Sequence, residues 1–448
     1  MTRRQPRAAP SGATPDRAVA LRTLERVRGG AYADRAFAGE AARAGLDARA
    51  RARAHRLAFG VVQRQRTLDW LIDGALDRPE GVEPAVRDVL RLGAYELAFS
   101  DGAPARATVD QAVRLARALP GAPARGAARA GLANAVLRRL DREAAGRLDT
   151  LDDRDPAAAA LAHSAPEWIA RRLFAALGPD DARGVLEAAN RPAESALRWN
   201  PLRGPRGPLE AELPPGWRGD PRVPEAYVLT APFALEDSAA WARGRAVGQS
   251  RASMLPARAL DPRPVERVLD LCAAPGAKAT HLAALARNGA RVTAVELRPA
   301  RADALRALAR RLGARVDVVV GDARSVALEG AFDAALVDPP CTGLGTLSAR
   351  PDARWRRREE SLGPLVELQR AILRRALESV RPGGRVVYST CTLLPEENEE
   401  VVASAGAPVE DLTASFPGVA DPRLPGALLT LPHRDGTDGF FVARLRVG

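Results

Sequence analysis

Three short stretches of this chain set thiols and carboxylates where a reaction could use them. "VDPPCTGLG" carries Asp338 and Cys341, "YSTCTLLPEENE" carries Cys391, and "LDLCAAPGAK" carries Asp270, Cys272 and Lys278. Taken singly, none decides anything. A lone Asp closing an apolar run is ordinarily a helix cap, and Cys is often a small buried hydrophobe, the ordinary reading of Cys272. Two thiols with acids at the ends of neighbouring apolar runs point instead to covalent chemistry. A thiolate added at C6 of a cytosine ring makes C5 electron-rich enough to take an electrophilic methyl group. A second thiol can then help remove the C5 proton or release the enzyme, which divides one hard step into easier ones. The attacking sulfur must be a thiolate. "CTLLPEENEEVV" sets Cys391 just before a turn or helix start, whose amide dipoles would lower its pKa. Asp338 stands where it could protonate or polarise the ring near N3.

These residues need a scaffold that gathers strand ends. Apolar runs at 267–272, 291–297, 315–321, 332–340 and 384–391 alternate with helical stretches at 278–288, 299–313 and 365–380, and a late strand falls within 438–447. That alternation predicts an α/β domain, a Rossmann-like parallel sheet with helical crossovers. Ligands in such sheets bind beyond the carboxyl ends of the strands. The first run ends in Asp270–Gly276, small residues that let the backbone approach a ligand closely. It has neither the GxGxxG of dinucleotide sites nor the GxxxxGK[ST] of P-loops. Glu296 closes the second run about 20 residues beyond Gly276, where a carboxylate commonly takes ribose hydroxyls. Asp322 closes the third run. The set suits a nucleoside cofactor without a required pyrophosphate better than it suits NAD.

Upstream, residues 16–150 read as an all-α bundle, with Leu24 and Val27, then Leu57, Val61 and Leu68, then Val86, Leu92 and Leu97 recurring at helical spacing. Residues 151–235 hold one helical stretch, "EWIARRLFAAL", a short strand in "ESALRWNPLRG", and a run dense in Pro and Gly; they predict a small α+β linker domain. Residues 236–448 take the α/β domain, and residues 1–15 predict a polar, disordered tail.

Composition bounds the partners. The chain carries +12, and residues 1–150 hold 27 Arg against 17 Asp plus Glu, so most of the excess lies in the first third. Such unevenness favours a nucleic-acid surface there. Three cysteines without a CxxC and four scattered His argue against a disulfide framework and against a metal site. The first 15 residues have no apolar leader segment, and nowhere do 18 apolar residues run together, so the expectation is a cytoplasmic protein without a membrane span. Of 67 basic residues, 66 are Arg, and the one lysine is Lys278. An ammonium is compact and can lose its proton when desolvated, whereas a guanidinium is wide and locked in charge.

"CAAPGAK", "VDPPCTGLG" and "STCTLLPEENE", with "RPDARWRR" and "DGFFVARL", resemble motifs of the S-adenosylmethionine-dependent RNA cytosine-C5 methyltransferases. The helical stretches "RAVALRTLERV", "LAFGVVQRQRTLDWLI", "VLRLGAYELAF" and "LANAVLRRL" look like the NusB-type RNA-binding domain. The combination is similar to the bacterial 16S ribosomal RNA (cytosine-C5) methyltransferase family over nearly the whole chain from residue 16. The resemblance implies that Cys391 is the nucleophile and Cys341 assists product release. It implies a cofactor site lined by Cys272, Ala273, Ala274, Pro275, Gly276, Ala277, Lys278, Glu296, Asp322 and Asp338. Asp322 would face the adenine, Asp338 both the methionine and the target base, and Lys278 would point toward that base and Asp338. The implied partner is ribosomal RNA offering a single-stranded or extruded cytosine, and the chain is expected to act as a monomer without metal. Three departures from the family pattern stand out: Ala277 where Gly is usual, Ser250 after Gln249 where Asp is frequent, and Leu344 where a small or hydroxyl residue is preferred. Ala277 fits only if its backbone needs no positive φ. Two other readings stay open, a cytosine-C5 enzyme acting on transfer RNA or another ribosomal site, and a non-catalytic RNA-binding assembly factor.

Overall fold

The computed structural model describes residues 12–100, 102 and 104–448. Of the expected tail 1–15, residues 1–11 lie outside the described residues, and Pro15 already opens the first helix. The chain divides into two compact units: one ends at Arg191 and takes in Arg350–Arg356, and the other comprises Pro192–Ala349 and Arg357–Gly448.

The first unit is all helical. Its main helices are Pro15–Arg28, Ala33–Ala44, Ala48–Asp73, Pro84–Phe99, Ala105–Arg117 and Pro123–Leu148, followed by Pro156–Ala162, Glu167–Leu177 and Pro179–Ala188. Starts follow local chemistry. Proline occupies the first helical position at 15, 84, 123, 156 and 179, where its missing N–H costs nothing. Asp47 caps its helix by accepting from the Ala50 N–H at 2.8 Å. The apolar stripes meet in one core holding Leu57, Val61, Leu68, Leu71, Val89, Leu90, Leu137 and Leu140. A buried ion pair crosses this core, with Arg17 donating to both carboxylate oxygens of Glu96 at 2.7 and 2.6 Å.

The stretch "RPDARWRR" behaves in an unexpected way: Arg350–Arg356 belongs to the helical unit. Arg354 is buried there and donates to the carbonyls of Gln63, Ser164 and Ala189 and to Asn190 Oδ1. Burial pushes its guanidinium down to about 9. Trp355 Nε1 donates to the Val62 carbonyl at 2.7 Å, and the Arg356 guanidinium lies 4.3 Å from the Tyr32 ring centre.

The second unit holds two sheets. Strands β1 (Ala196–Trp199), β2 (Ala226–Val228) and β3 (Ala246–Gly248) form a small antiparallel sheet in the order β2-β1-β3. The main sheet contains β4 (Arg267–Asp270), β5 (Arg291–Glu296), β6 (Val316–Val320), β7 (Phe332–Val337), β8 (Val380–Thr390), β9 (Val409–Glu410), β10 (Leu428–Thr430) and β11 (Phe440–Arg446). Its order is β10-β11-β8-β7-β4-β5-β6, with β9 paired to β11. The β4, β5, β6, β7 and β8 pairings are parallel, and β11 joins antiparallel. The chain leaves β4 toward β5 and β6, then returns to β7 on the other side, so the strand order reverses between β4 and β7. This is the switch point at which such sheets bind ligands. Val268, Leu282, Val292, Leu336 and Val387 bury one face.

The expected linker segment 151–235 is divided between the units: the helices Pro156–Ala162, Glu167–Leu177 and Pro179–Ala188 fall in the helical unit, while the short helix Gly207–Glu210 and the strands β1 and β2 fall in the second, where β1 pairs with β3 beyond residue 235. A three-residue strand such as β3 is too short to show a period, so its partner decided the boundary.

Candidate active site

The carboxyl ends of β4, β5, β6, β7 and β8 carry the candidate residues. After Asp270 the chain turns through Leu271–Gly276 and enters the helix Ala277–Leu285. Gly276 has φ +112°, and a Cβ there would lie 3.0 Å from Leu305 Cγ, so glycine is required at this turn. Ala277 is the first helical residue and is absent from the positive-φ positions, so its Cβ is no obstacle. The loop is tied to β5 by the Ala273 N–H, which donates to the Val295 carbonyl at 3.0 Å, and by Arg301 Nη2, which donates to the Ala274 carbonyl at 2.5 Å.

Acids dominate this end of the sheet. Asp270 is fully buried; Oδ1 makes only a long contact of 3.4 Å with the Cys272 N–H, and Oδ2 has no partner. Burial, reinforced by the charge of Asp338, raises its carboxyl to about 7. Glu296, closing β5, accepts from the Arg298 N–H at 2.9 Å and lies 3.7 Å from Arg301 Nε. Cys272 is held as a thiol by burial first and then by Asp270, Asp338 and Glu296. Asp322 differs: Arg324 takes its carboxylate in a fork, Nε at 3.0 Å and Nη2 at 2.6 Å, and holds it down at about 2.

Lys278, the one lysine, donates from Nζ to Asp338 Oδ2 at 2.8 Å, and Ser389 Oγ donates to Oδ1 at 3.0 Å. Phe440 on β11 lies beneath the ammonium, 5.0 Å from ring centre to Nζ. Burial acts to strip the Lys278 proton, but Asp338, with Cys391 and Asp270 adding to it, outweighs burial and the ammonium is held above its ordinary value. This answers the expectation that desolvation could free the amine: here the lysine keeps its charge.

Cys341 and Cys391 come together from loops after β7 and β8, with sulfur atoms 3.4 Å apart. No disulfide links the cysteines. Cys341 is raised well above the ordinary thiol range by its hydrogen bond to Cys391, then by burial. The expected helix start after Cys391 is a three-residue turn, Pro395–Glu397, and then a helix of only five residues, Glu399–Ala403. So short a helix has a weak dipole. Lys278 and Cys391 interact electrostatically. Gly345 fixes the crossing of these loops: its N–H donates to the Cys391 carbonyl at 2.9 Å, and a Cβ there would meet the Gly439 carbonyl at 2.0 Å.

The fold therefore brings Cys272, Lys278, Asp338, Cys341 and Cys391 into one neighbourhood, with Glu296 at its edge, while Asp322 is engaged with Arg324. Several contributors carried no local signal. Arg198 of β1 is buried and donates to the Ala277 carbonyl at 2.7 Å and to Thr280 Oγ1 at 3.0 Å, which pins the helix bearing Lys278. His281 on that helix meets Glu225 at 2.6 Å, and burial lowers its imidazole to about 4, so the neutral ring donates from Nε2 to the carboxylate. Ser389, Phe440 and Glu397 stand inside the quoted motifs, but what they touch is legible only in three dimensions. Of the departures, Gln249 donates to the Ser253 carbonyl at 2.9 Å and Ser250 begins the helix Arg251–Leu260, while Leu344 is buried. Among the described residues no cluster of His, Cys, Asp or Glu could hold a metal ion, and no helix is long and apolar enough to cross a membrane.

Comparison with known proteins gives concordant matches. The profile of the family described as 16S rRNA methyltransferase RsmB/F matches residues 257–446, and that of the NusB family matches residues 14–142. A Bacillus subtilis (strain 168) protein named "Probable ribosomal RNA small subunit methyltransferase B" is 32% identical over 409 residues, covering 87% of this chain and 89% of that protein. "Ribosomal RNA small subunit methyltransferase B" of Klebsiella pneumoniae is 32% identical over 399 residues, covering 87% and 88%. A solved methyltransferase homolog protein from Pyrococcus horikoshii is 31% identical, covers 64% of this chain and 97% of its own, and superposes with a TM-score of 0.57.

Proposed function

This chain belongs to the 16S rRNA methyltransferase RsmB/F family, and from that premise we propose that it methylates C5 of a cytosine in 16S ribosomal RNA through a covalent bond between Cys391 and C6. The observation that carries the reading is the 3.4 Å contact of Cys341 and Cys391 beside the Lys278–Asp338 pair. S-adenosylmethionine, the cofactor, supplies an electrophilic methyl group when bound. The acids that act on Cys272 and the partnerless Asp270 oxygen suit its positive charges. In this reading residues 272–278 and Glu296 hold the cofactor, and Asp338 borders both cofactor and base. Asp322 would reach the adenine only by sharing its carboxylate with Arg324.

The roles that the resemblance implies for the two sulfurs suit their surroundings. Cys391, as a thiolate beside the Lys278 ammonium, attacks C6. The Asp338–Lys278 pair polarises the ring near N3 as charge builds there. Cys341 stays a thiol in the resting site because Cys391 is its hydrogen-bond partner and burial adds to the effect. Once Cys391 is bonded to C6 that largest influence is gone, and Cys341 can assist loss of the C5 proton and release of the enzyme. The helical unit, with Arg49, Arg51, Arg56, Arg106, Arg117 and Arg125 exposed, takes the RNA backbone.

The test is adduct trapping. Cys341→Ala incubated with cofactor and undermodified ribosomal RNA should accumulate a denaturant-stable RNA–protein adduct, and Cys391→Ala should form none. An adduct in Cys391→Ala alone would reverse the two roles. Bisulfite sequencing of RNA from a deletion strain identifies the cytosine.

A further inference from the structure

Behind the two thiols lies a carboxylate that the reaction above does not use. Glu397 sits on the turn Pro395–Glu397 and is fully buried. Its Oε1 accepts from the Thr342 N–H at 2.8 Å and from Gln369 Nε2 at 2.9 Å, and its Oε2 meets Thr342 Oγ1. Thr342 Oγ1 in turn lies 2.7 Å from Thr392 Oγ1. Gln369 Nε2 also donates to the Pro340 carbonyl at 3.0 Å, and Tyr388 Oη donates to the Glu397 carbonyl at 2.6 Å. Next along the turn, Asn398 Oδ1 accepts from Thr390 Oγ1 at 2.5 Å and its Nδ2 donates to the Thr392 carbonyl at 3.2 Å.

The partners form a pattern. Thr342 follows Cys341, and Thr392 follows Cys391. The sulfur contact therefore has a twin directly behind it, a hydroxyl contact, and the carboxylate grips one end of that twin. Burying a carboxylate among neutral donors is costly unless its lone pairs are filled; here Thr342, which follows Cys341, and Gln369 fill them, while Glu397 itself sits on the chain that follows Cys391. An apolar side chain in that space would leave the Thr342 N–H, the Thr342 hydroxyl and the Gln369 amide short of acceptors.

We infer that Glu397 is a positioning residue, whose carboxylate locks the Cys341 and Cys391 loops together so that the two sulfurs meet at contact distance. The inference rests on the reading of those sulfurs as the reacting pair, but its test does not need the reaction. Phenylarsine oxide binds tightly only where two thiols can reach one arsenic atom. The wild-type chain should bind it tightly, and Cys341→Ala and Cys391→Ala should each lose that binding. Glu397→Ala should weaken it about tenfold or more, because the effective concentration of the second thiol falls when the loops separate. In the methylation assay the same variant should lose about tenfold in kcat with KM for S-adenosylmethionine nearly unchanged. Glu397→Gln can accept from the N–H donors and donate to the Thr342 hydroxyl, so it should recover both readouts to within about threefold of wild type. Should Glu397→Ala fail to fold, Thr392→Val removes one hydroxyl of the twin contact and should weaken arsenical binding about threefold. Wild-type arsenical affinity in Glu397→Ala, or in Thr392→Val where that variant stands in, would overturn the inference. Full methylation by Cys391→Ala, with tight arsenical binding in the wild-type chain and its weakening in Glu397→Ala, would instead overturn the proposed chemistry and leave the positioning role standing.

Discussion

The two units spend charge in opposite ways. In the helical unit arginine is in excess, and Arg49, Arg51, Arg56, Arg106, Arg117 and Arg125 stand exposed. At the carboxyl end of the main sheet the prevailing groups are acids, and three cations there are engaged with them: Lys278 with Asp338, Arg301 beside Glu296, Arg324 with Asp322. An acid-lined end repels phosphate and favours cationic groups, whereas an arginine surface does the reverse. The difference fits the proposed reading, in which holding a polyanion and reacting with one uncharged base are tasks for different regions. In that reading the lysine held charged by its carboxylate partner serves beside the two thiols.

That contrast can be broken at either end. The largest effect is expected for Cys391→Ala: methyl transfer should fall by on the order of 10³-fold or below detection, with RNA affinity within about twofold of wild type. Tritiated-methyl transfer and filter binding on the same preparation check this, and a parallel loss of RNA affinity would erase the division of labour. Next comes Lys278→Arg. A planar fork cannot sit on Asp338 and over Phe440 as the ammonium does, so kcat should drop about tenfold to a hundredfold with the fold intact. Wild-type turnover in that variant would remove the reason for the chain's one lysine. Reversing Arg106, Arg117 and Arg125 to Glu should weaken RNA binding and reduce the slope of log affinity against log salt by about 0.7 for each phosphate no longer neutralised. S-adenosylmethionine affinity, read by calorimetry, should stay as in the wild type.

The smallest effect sharpens the acidic side. The Asp270 carboxyl titrates at about 7 in the folded chain because of its burial. The folded state keeps this proton over a range where the unfolded state has released it. The associated stability is therefore full at low pH and is lost as pH rises through about 7, by up to about 1.4 kcal/mol per pH unit between about pH 4 and pH 7. Asp270→Asn should flatten the thermal midpoint across that window. An unchanged pH dependence would mean that the carboxyl is ionised throughout.

Much of this architecture was legible from periodicity. The apolar stripes of the helix Ala48–Asp73 and the alternating strand–helix runs after residue 267 recur in the structure close to where their spacing sets them. The paired thiols, the acids closing the strands and the lysine among arginines also stood out, because residue type and strand ends are local properties. By contrast, β3 was too short to show a period, and Arg350–Arg356 reads as a continuation of the Cys341 motif although it packs among helices.

From its sequence alone, this protein's fold class follows, since burying one face of each helix or strand dictates the spacing of apolar residues. So does the list of groups able to do chemistry. Only the tertiary structure decided their states and neighbours: Lys278 keeps its proton through Asp338, Asp322 is claimed by Arg324, and Glu397 and Arg198 bear on residues far away along the chain. Contacts of that kind join loops distant in sequence. Their strength lies in desolvation and hydrogen-bond geometry, which leave no period and no composition to read.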